Sequence, residues 1–273
     1  MKKYFKNKNF LTGFIFLSFI LIVILLGMIK LPFEINNIDI SNKLLSSSKE
    51  HLLGTDHLGR DILSRIMVGA RLSVEIGFYV VLLGFIIGTP IGAIAGYYSK
   101  YIDEIIKKVI DTLMSFPGVL IALMIIAVFG VSTKNIIIAL TIMSIPRFAR
   151  IARGGYYSYK NSPFVLATKA RGASNFRIMV IHIFNHIYGE IIVTASLTFA
   201  SAVLSEAGLS YLGLGIQPPN PSLGKMVSEA QGYILQKPSY VIIPSIFIII
   251  LVMGFNLLGD GINKVIEENK ENE

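Results

Sequence analysis

Residues 51–61 read HLLGTDHLGRD and bring His51, Asp56, His57, Arg60 and Asp61 together within eleven positions. Imidazoles and carboxylates at close range are the donor set of a metal site and the acid–base groups of many hydrolytic centres. The spacing argues against both. The helical signature H-E-x-x-H is absent, and His51 and His57 are six apart with Gly54 between them. A regular helix would send positions i and i+6 to well-separated faces. Gly54-Thr55-Asp56 and Gly59-Arg60-Asp61 read instead as turns, in which Asp accepts backbone hydrogen bonds and Gly supplies unusual dihedrals. A catalytic role is therefore not assigned to this stretch, and no resident metal or cofactor is expected.

Other polar groups sit in apolar surroundings. Glu190 and Glu206 fall in one hydrophobic run, where a carboxylate must face the protein interior or a cavity. Glu190 lies at the start of that run, within reach of a basic loop. Glu206 lies near its other end, where exposure at the interface and a role as a gate on a translocation path are the two readings. Asp111 and Ser115, close to Pro117, are further cavity candidates. His182, His186 and Glu190 are spaced by four and would share a face on an unbroken helix. Gly189 interrupts that pattern, and an interfacial polar stripe accounts for it. Met114, Met124 and Met143 read as packing residues.

The elements that position these groups are membrane spans. The 273 residues are 53% hydrophobic and 15% charged, with a mean hydropathy of +0.65. Soluble domains carry about 25% charged residues. Uncharged apolar runs of roughly 18 residues or more need a bilayer. Six are expected: Leu11–Ile29, Ile76–Tyr98, Val109–Ser132 with Pro117 inside it, Asn135–Ile151, Ile187–Leu214 and Val241–Leu258. The first follows the basic start MKKYFKNKN, as a signal peptide would. Its apolar run exceeds an h-region and no small-residue cleavage site follows, so it reads as a retained helix. Between the first two spans, Asp61 opens an amphipathic helix with Ile62, Leu63, Ile66, Met67 and Ala70 on one face. That helix is expected to lie in the interface, with Arg60, Arg65 and Arg71 towards headgroups or paired with the nearby carboxylates. The fold class is all-α, polytopic, and free of cysteine.

The net charge of +8 is explained by topology rather than by nucleic acid. With the N-terminus inside, sixteen of the twenty-five Lys and Arg residues fall on the inner side. The positive-inside rule thus puts both termini in the cytoplasm and the loop holding HLLGTDHLGRD outside. That loop, Lys30 to Arg71, is nearly charge-balanced. Arg153 to His186, on the inner side, has no acidic residue. Within it Pro163 suits the first turn of a short helix ending near Gly172, and Ser174 can cap a second helix bearing Phe176, Met179, Val180 and Ile183. This basic hairpin could lie on anionic lipid or dock a partner protein.

The hairpin resembles the cytoplasmic signature of ATP-binding-cassette importer permeases, E-A-A, three residues, then G. Ala167 and Gly172 match; Leu166 stands where the pattern has Glu and Thr168 where it has Ala. HLLGTDHLGRDILSRIMVGARLSVEIG and SEAGLSYLGLGIQPPNPSLG are similar to two further stretches of the peptide/nickel importer permeases, in the same order. The likeness runs from about Leu11 to Gly261, and the tail INKVIEENKENE departs from it.

The resemblance implies a type I permease with a cytoplasmic N-terminus (1–10), a first span (11–29), an extracytoplasmic loop and interfacial helix (30–75), a permease core (76–262) and a cytoplasmic tail (263–273). The coupling loop is 153–186. The implied partners are a second permease subunit, two cytoplasmic ATPases, an extracytoplasmic solute-binding protein and membrane lipid. Phe164, Ala167, Lys169, Ala170, Arg171, Gly172 and Ala173 would couple to an ATPase. Gly54, Asp56, Gly59, Arg60, Asp61 and Glu206 would shape the outer loop or gate. His51 and His57 would make at most a transient contact to nickel in transit. No G-x-x-x-x-G-K-[ST] phosphate loop occurs, so the chain is not expected to be an enzyme. A stand-alone channel or secondary transporter, and an intramembrane hydrolase, are the competing classes. Which solute is carried, short peptide or nickel chelate, is left open.

Overall fold

The computed structural model describes residues 5–98 and 100–271. Lys2 and Lys3, which entered the orientation argument, and the last two residues of the tail lie outside the described residues. The elements in chain order are α1 (Lys8–Ile29), α2 (Ile62–Tyr97), α3 (Lys100–Ser115), α4 (Gly118–Phe129), α5 (Thr133–Tyr159), α6 (Pro163–Ala170), α7 (Asn175–Tyr211), α8 (Leu223–Gln231) and α9 (Pro238–Glu271). Five of them, α1, α2, α5, α7 and α9, are long and apolar enough to cross a membrane.

The third expected span is broken. Between α3 and α4 the chain turns by 85°, where Pro117 leaves helical dihedrals (φ −56°, ψ 122°) and has no N–H to offer the preceding turn. Counting this bent pair as one span gives six. Ion pairs hold α3 against α5: Asp103 with Arg153, and Asp111 with Arg150 at 3.1 Å.

Two expected boundaries shift. The helix opened by Asp61 is no separate interfacial helix but the first turns of α2, 36 residues long. Its apolar stripe does not face headgroups. Ile62, Ile66, Met67 and Ala70 are buried with Ile20 and Ile24 of α1, Leu223 and Met226 of α8, and Leu251 of α9. Burial against protein leaves that stripe nothing to gain from the interface. At the other end of the bundle, the helix begun at Ser174 runs directly into the fifth span as α7. Ser174 caps it by accepting from the Arg177 amide (3.3 Å).

Small residues set the closest helix contacts, as expected where lipid supplies no hydrophobic drive between helices. On α2, Gly84, Gly88, Gly92 and Gly96 recur every four residues. A Cβ at Gly88 would stand 2.6 Å from the Ile145 carbonyl of α5, and the next two would strike the carbonyls of Ala149 and Arg153. Across the bundle, Gly13 of α1 meets Gly254 and Leu258 of α9 in the same way.

Candidate functional sites

At the end of the bundle holding the 30–61 loop, the Gly–Asp turns form a stapled network. Gly54 and Gly59 both adopt φ of +79°, and a Cβ on either would collide with the carbonyl of Leu45 or Asp39. Only glycine fits there. Asp61 is buried and caps α2: its Oδ2 accepts from the Ser64 amide and hydroxyl, both at 2.8 Å. Its Oδ1 meets His51 Nδ1 at 2.9 Å, and the His51 ring stacks on Phe33. Asp56, also buried, accepts from the amides of Leu58 (2.8 Å) and Arg60 (2.9 Å) and from Arg60 Nε (2.6 Å). Arg60 reaches Glu229 of α8 at 3.2 Å, and the buried Arg65 sits 3.7 Å from Asp56 and 3.8 Å from Glu229. His57 Nδ1 pairs with the Tyr240 hydroxyl of α9 at 2.9 Å.

These contacts define what the stretch can do. Asp56, His57 and Glu229 place ligand atoms within 4.8 Å of one another. Two guanidiniums already occupy both carboxylates, and a dication would have to displace or outbid them. Each histidine is committed to a neighbour, Asp61 or Tyr240. The network ties the loop to α2, α8 and α9, and its hydroxyl beside a carboxylate, Ser64 against Asp61, is fully buried and also accepts from the Phe33 amide.

Outside the membrane-facing helices the same loop holds one shifted group. Asp39 is exposed, and the Ser41 hydroxyl, donating at 2.5 Å, keeps its carboxyl below the usual value.

Glu206 is separate from this network. It is fully buried, and its two oxygens accept from Ser73 of α2 (2.8 Å), Ser210 of α7 (2.7 Å) and Ser222 just before α8 (3.1 Å). Its side chain is enclosed by protein rather than exposed. It is the centre of a hydroxyl knot that joins three segments.

At the opposite, basic end lies α6. Pro163 occupies its first turn and Val165 is its one fully buried side chain, packed with Phe148, Ala152, Ile178 and Ile183. Phe164 is half-buried beside His186, ring centroids 4.6 Å apart. The helix closes in a Schellman arrangement: Gly172 takes φ +85° and the Ala173 amide reaches the Thr168 carbonyl at 3.3 Å. Leu166, Ala167, Lys169, Ala170, Arg171 and Gly172 are all exposed, and nothing lies within 4 Å of a Cβ built on Gly172. A short helix anchored on one side thus offers a small-residue, cationic face on the other. Among the described residues, His182, His186 and Glu190 do not gather as a metal cluster.

Of the two places open to Arg60 and Arg65, the structure takes the pairing with a nearby carboxylate, Asp56; sequence reasoning missed Glu229, Tyr240 and the three serines around Glu206. Apart from Ser210, four residues from Glu206 on α7, their partners lie up to 183 residues away, beyond the reach of local spacing.

The family profile for the binding-protein-dependent transport system inner membrane component matches residues 88–271. The chain belongs to this family. It is 38% identical to the dipeptide transport system permease protein of Alkalihalophilus pseudofirmus, over 96% of this chain and 86% of that one. It is 40% identical to the glutathione transport system permease protein of Pectobacterium atrosepticum, over 81% and 73% of the two. A second dipeptide permease protein, from Haemophilus influenzae, is 36% identical over 97% and 92%. Among solved structures, the inward-facing MetNI methionine ABC transporter matches with a TM-score of 0.63 at 19% identity, over 74% of this chain and 96% of that one. That likeness establishes the fold, an ABC importer permease architecture. The chain is thus a multi-pass inner-membrane permease subunit of an ABC importer, and the readings as hydrolase or self-contained channel fall away.

Proposed function

We propose that this chain forms half of the translocation pathway of an ATP-driven importer for short peptides, with both termini in the cytoplasm. The single observation that carries the coupling part of this reading is α6. It is fixed to the bundle by Val165 and Phe164 while Ala167, Lys169, Ala170, Arg171 and Gly172 stay exposed. Such a face suits insertion into a cleft of a partner, and small side chains permit close backbone approach. Leu166, 54% exposed, replaces the polar contact that a Glu would make with an apolar one.

The peptide assignment is supported by relatives that carry dipeptide or glutathione. Engagement of His51 and His57 with Asp61 and Tyr240 argues for a structural use of both rings, and nickel becomes an outcome of the test. The complex would comprise this chain, a second permease, two ATPases and a solute-binding protein. ATP hydrolysis belongs to the ATPases, because this chain has no phosphate loop.

The test is reconstitution of the five-part complex in proteoliposomes. Uptake of labelled dipeptide or glutathione that requires both ATP and the binding protein is the expected result. Solute flux without ATP would reject the importer reading, and uptake of nickel alone would reject the peptide assignment.

A further inference from the structure

Three residues into α7 the α-helical geometry is interrupted. Ile178–Ile183 forms a π-helical turn, closed by the Phe184 amide bonding to the Met179 carbonyl, five residues back. Such widened turns are rare and cluster at functional positions. A second donor reaches the same oxygen: the Tyr156 hydroxyl, from the last turns of α5, lies 3.0 Å from the Met179 carbonyl in a buried setting. Tyr156 is 3% exposed. The wide turn is also the floor on which α6 rests, since Val165 packs on Ile178 and Ile183, and Tyr156 belongs to the same cluster.

From this geometry we propose that Tyr156 is a positioning residue for energy coupling, and that the π turn is the joint through which α6 moves α7. The proposal rests on the reading of α6 as a coupling helix. A regular helix resists bending because each carbonyl is committed to one amide four residues on. A π turn interrupts that ladder, so the helix can tighten or widen there at little cost. The Tyr156 hydroxyl ties the loosened carbonyl to α5, which makes the joint respond as one unit with α5 and α6. A push on α6 through Val165 is then delivered to the first turns of a span that continues to Glu206 and Ser210 at the far end.

The test uses the assembled importer in proteoliposomes. Tyr156→Phe keeps the ring and removes the hydroxyl. Solute moved per ATP hydrolysed is expected to fall about fivefold, the factor that corresponds to one hydrogen bond of ~1 kcal/mol. ATP hydrolysis itself should persist. Amide exchange at Phe184 should quicken by a similar factor. An unchanged transport-to-hydrolysis ratio in Tyr156→Phe, while the surface variant Arg171→Glu on α6 loses coupling, would overturn the joint alone. Unchanged coupling in both variants would overturn the coupling helix and the joint together. A measurement on the unmodified chain covers the case in which Tyr156→Phe fails to assemble. Protection of the amides at 178–184 should differ between the nucleotide-free and ATP-bound complex, and identical protection would reject the proposal.

Discussion

At the residue scale, the 30–61 loop shows how a cluster that looks reactive can be fully spent on structure. Asp61 serves as helix cap, as partner of His51 and as acceptor for Ser64 at once. Removing it leaves a buried imidazole and the first amides of α2 without a partner. Asp61→Ala should therefore destabilise the folded chain by about 2–4 kcal/mol, since charged buried hydrogen bonds contribute ~1.5–3 kcal/mol and a cap ~1 kcal/mol. Asp61→Asn retains the cap and should cost less. Thermal unfolding in detergent would show the order, and equal melting of the two variants would contradict the account. The same logic applies to Glu206, whose partners are three hydroxyls that can each turn to donate or accept. Glu206→Gln should assemble and transport nearly as the native chain does, whereas Glu206→Leu takes from three buried hydroxyls the acceptor to which they donate. A gate residue would give the opposite pattern, with Glu206→Gln folded and inactive, so uptake by the two variants separates the roles.

At the element scale, much was legible because apolar length is a local property. The spans at Leu11, Asn135 and Val241 each lie within a helix of the structure, those at Ile76 and Ile187 run one to three residues past the end of theirs, and the third, expected to run on through Pro117, is broken there. What escaped was phase and continuity. Nothing local distinguishes an amphipathic helix that lies in an interface from one whose stripe is covered by α1, α8 and α9, and so the second span was expected to start at Ile76 rather than at Ile62, where α2 begins. A widened turn has no sequence signature at all. The glycine register GFIIGTPIGAIAG, by contrast, stood in plain view and predicts close packing by the small-xxx-small rule. Its consequence is testable. A leucine at Gly92 would force α2 away from the Ala149 backbone of α5, and overpacking of this kind costs about 1–3 kcal/mol or more. Gly92→Leu should reduce the folded yield, while leucine at the open Gly154, which has no neighbour within 4 Å, should not. Gly172 belongs here as well. At φ +85° a β-branched residue is strained by about 1–2 kcal/mol. Gly172→Val should thus weaken coupled uptake while leaving the chain's insertion in the membrane intact.

At the scale of the whole molecule, the arrangement is two specialised ends joined by a span-long α7. One end is a charge-balanced, stapled loop; the other is a basic face with a single anchored helix. The proposed orientation, with the basic end in the cytoplasm, rests on the placement of Lys and Arg, because the translocation machinery retains positive loops on the inner side. The absence of cysteine from the sequence makes this directly measurable with one introduced thiol at a time. Glu50 is exposed in the long loop and Lys169 is exposed on α6, and neither has a partner that the substitution would strand among the described residues. In intact cells, a membrane-impermeant maleimide should label Glu50→Cys, and should label Lys169→Cys only after the membrane is opened. The proposed docking of both partners depends on that result. An ATPase can reach α6 only from the cytoplasm, and a solute-binding protein can reach the Gly–Asp loop only from outside. The reverse labelling pattern would put each surface out of reach of its proposed partner and would dismantle the importer mechanism, however well the fold agreed.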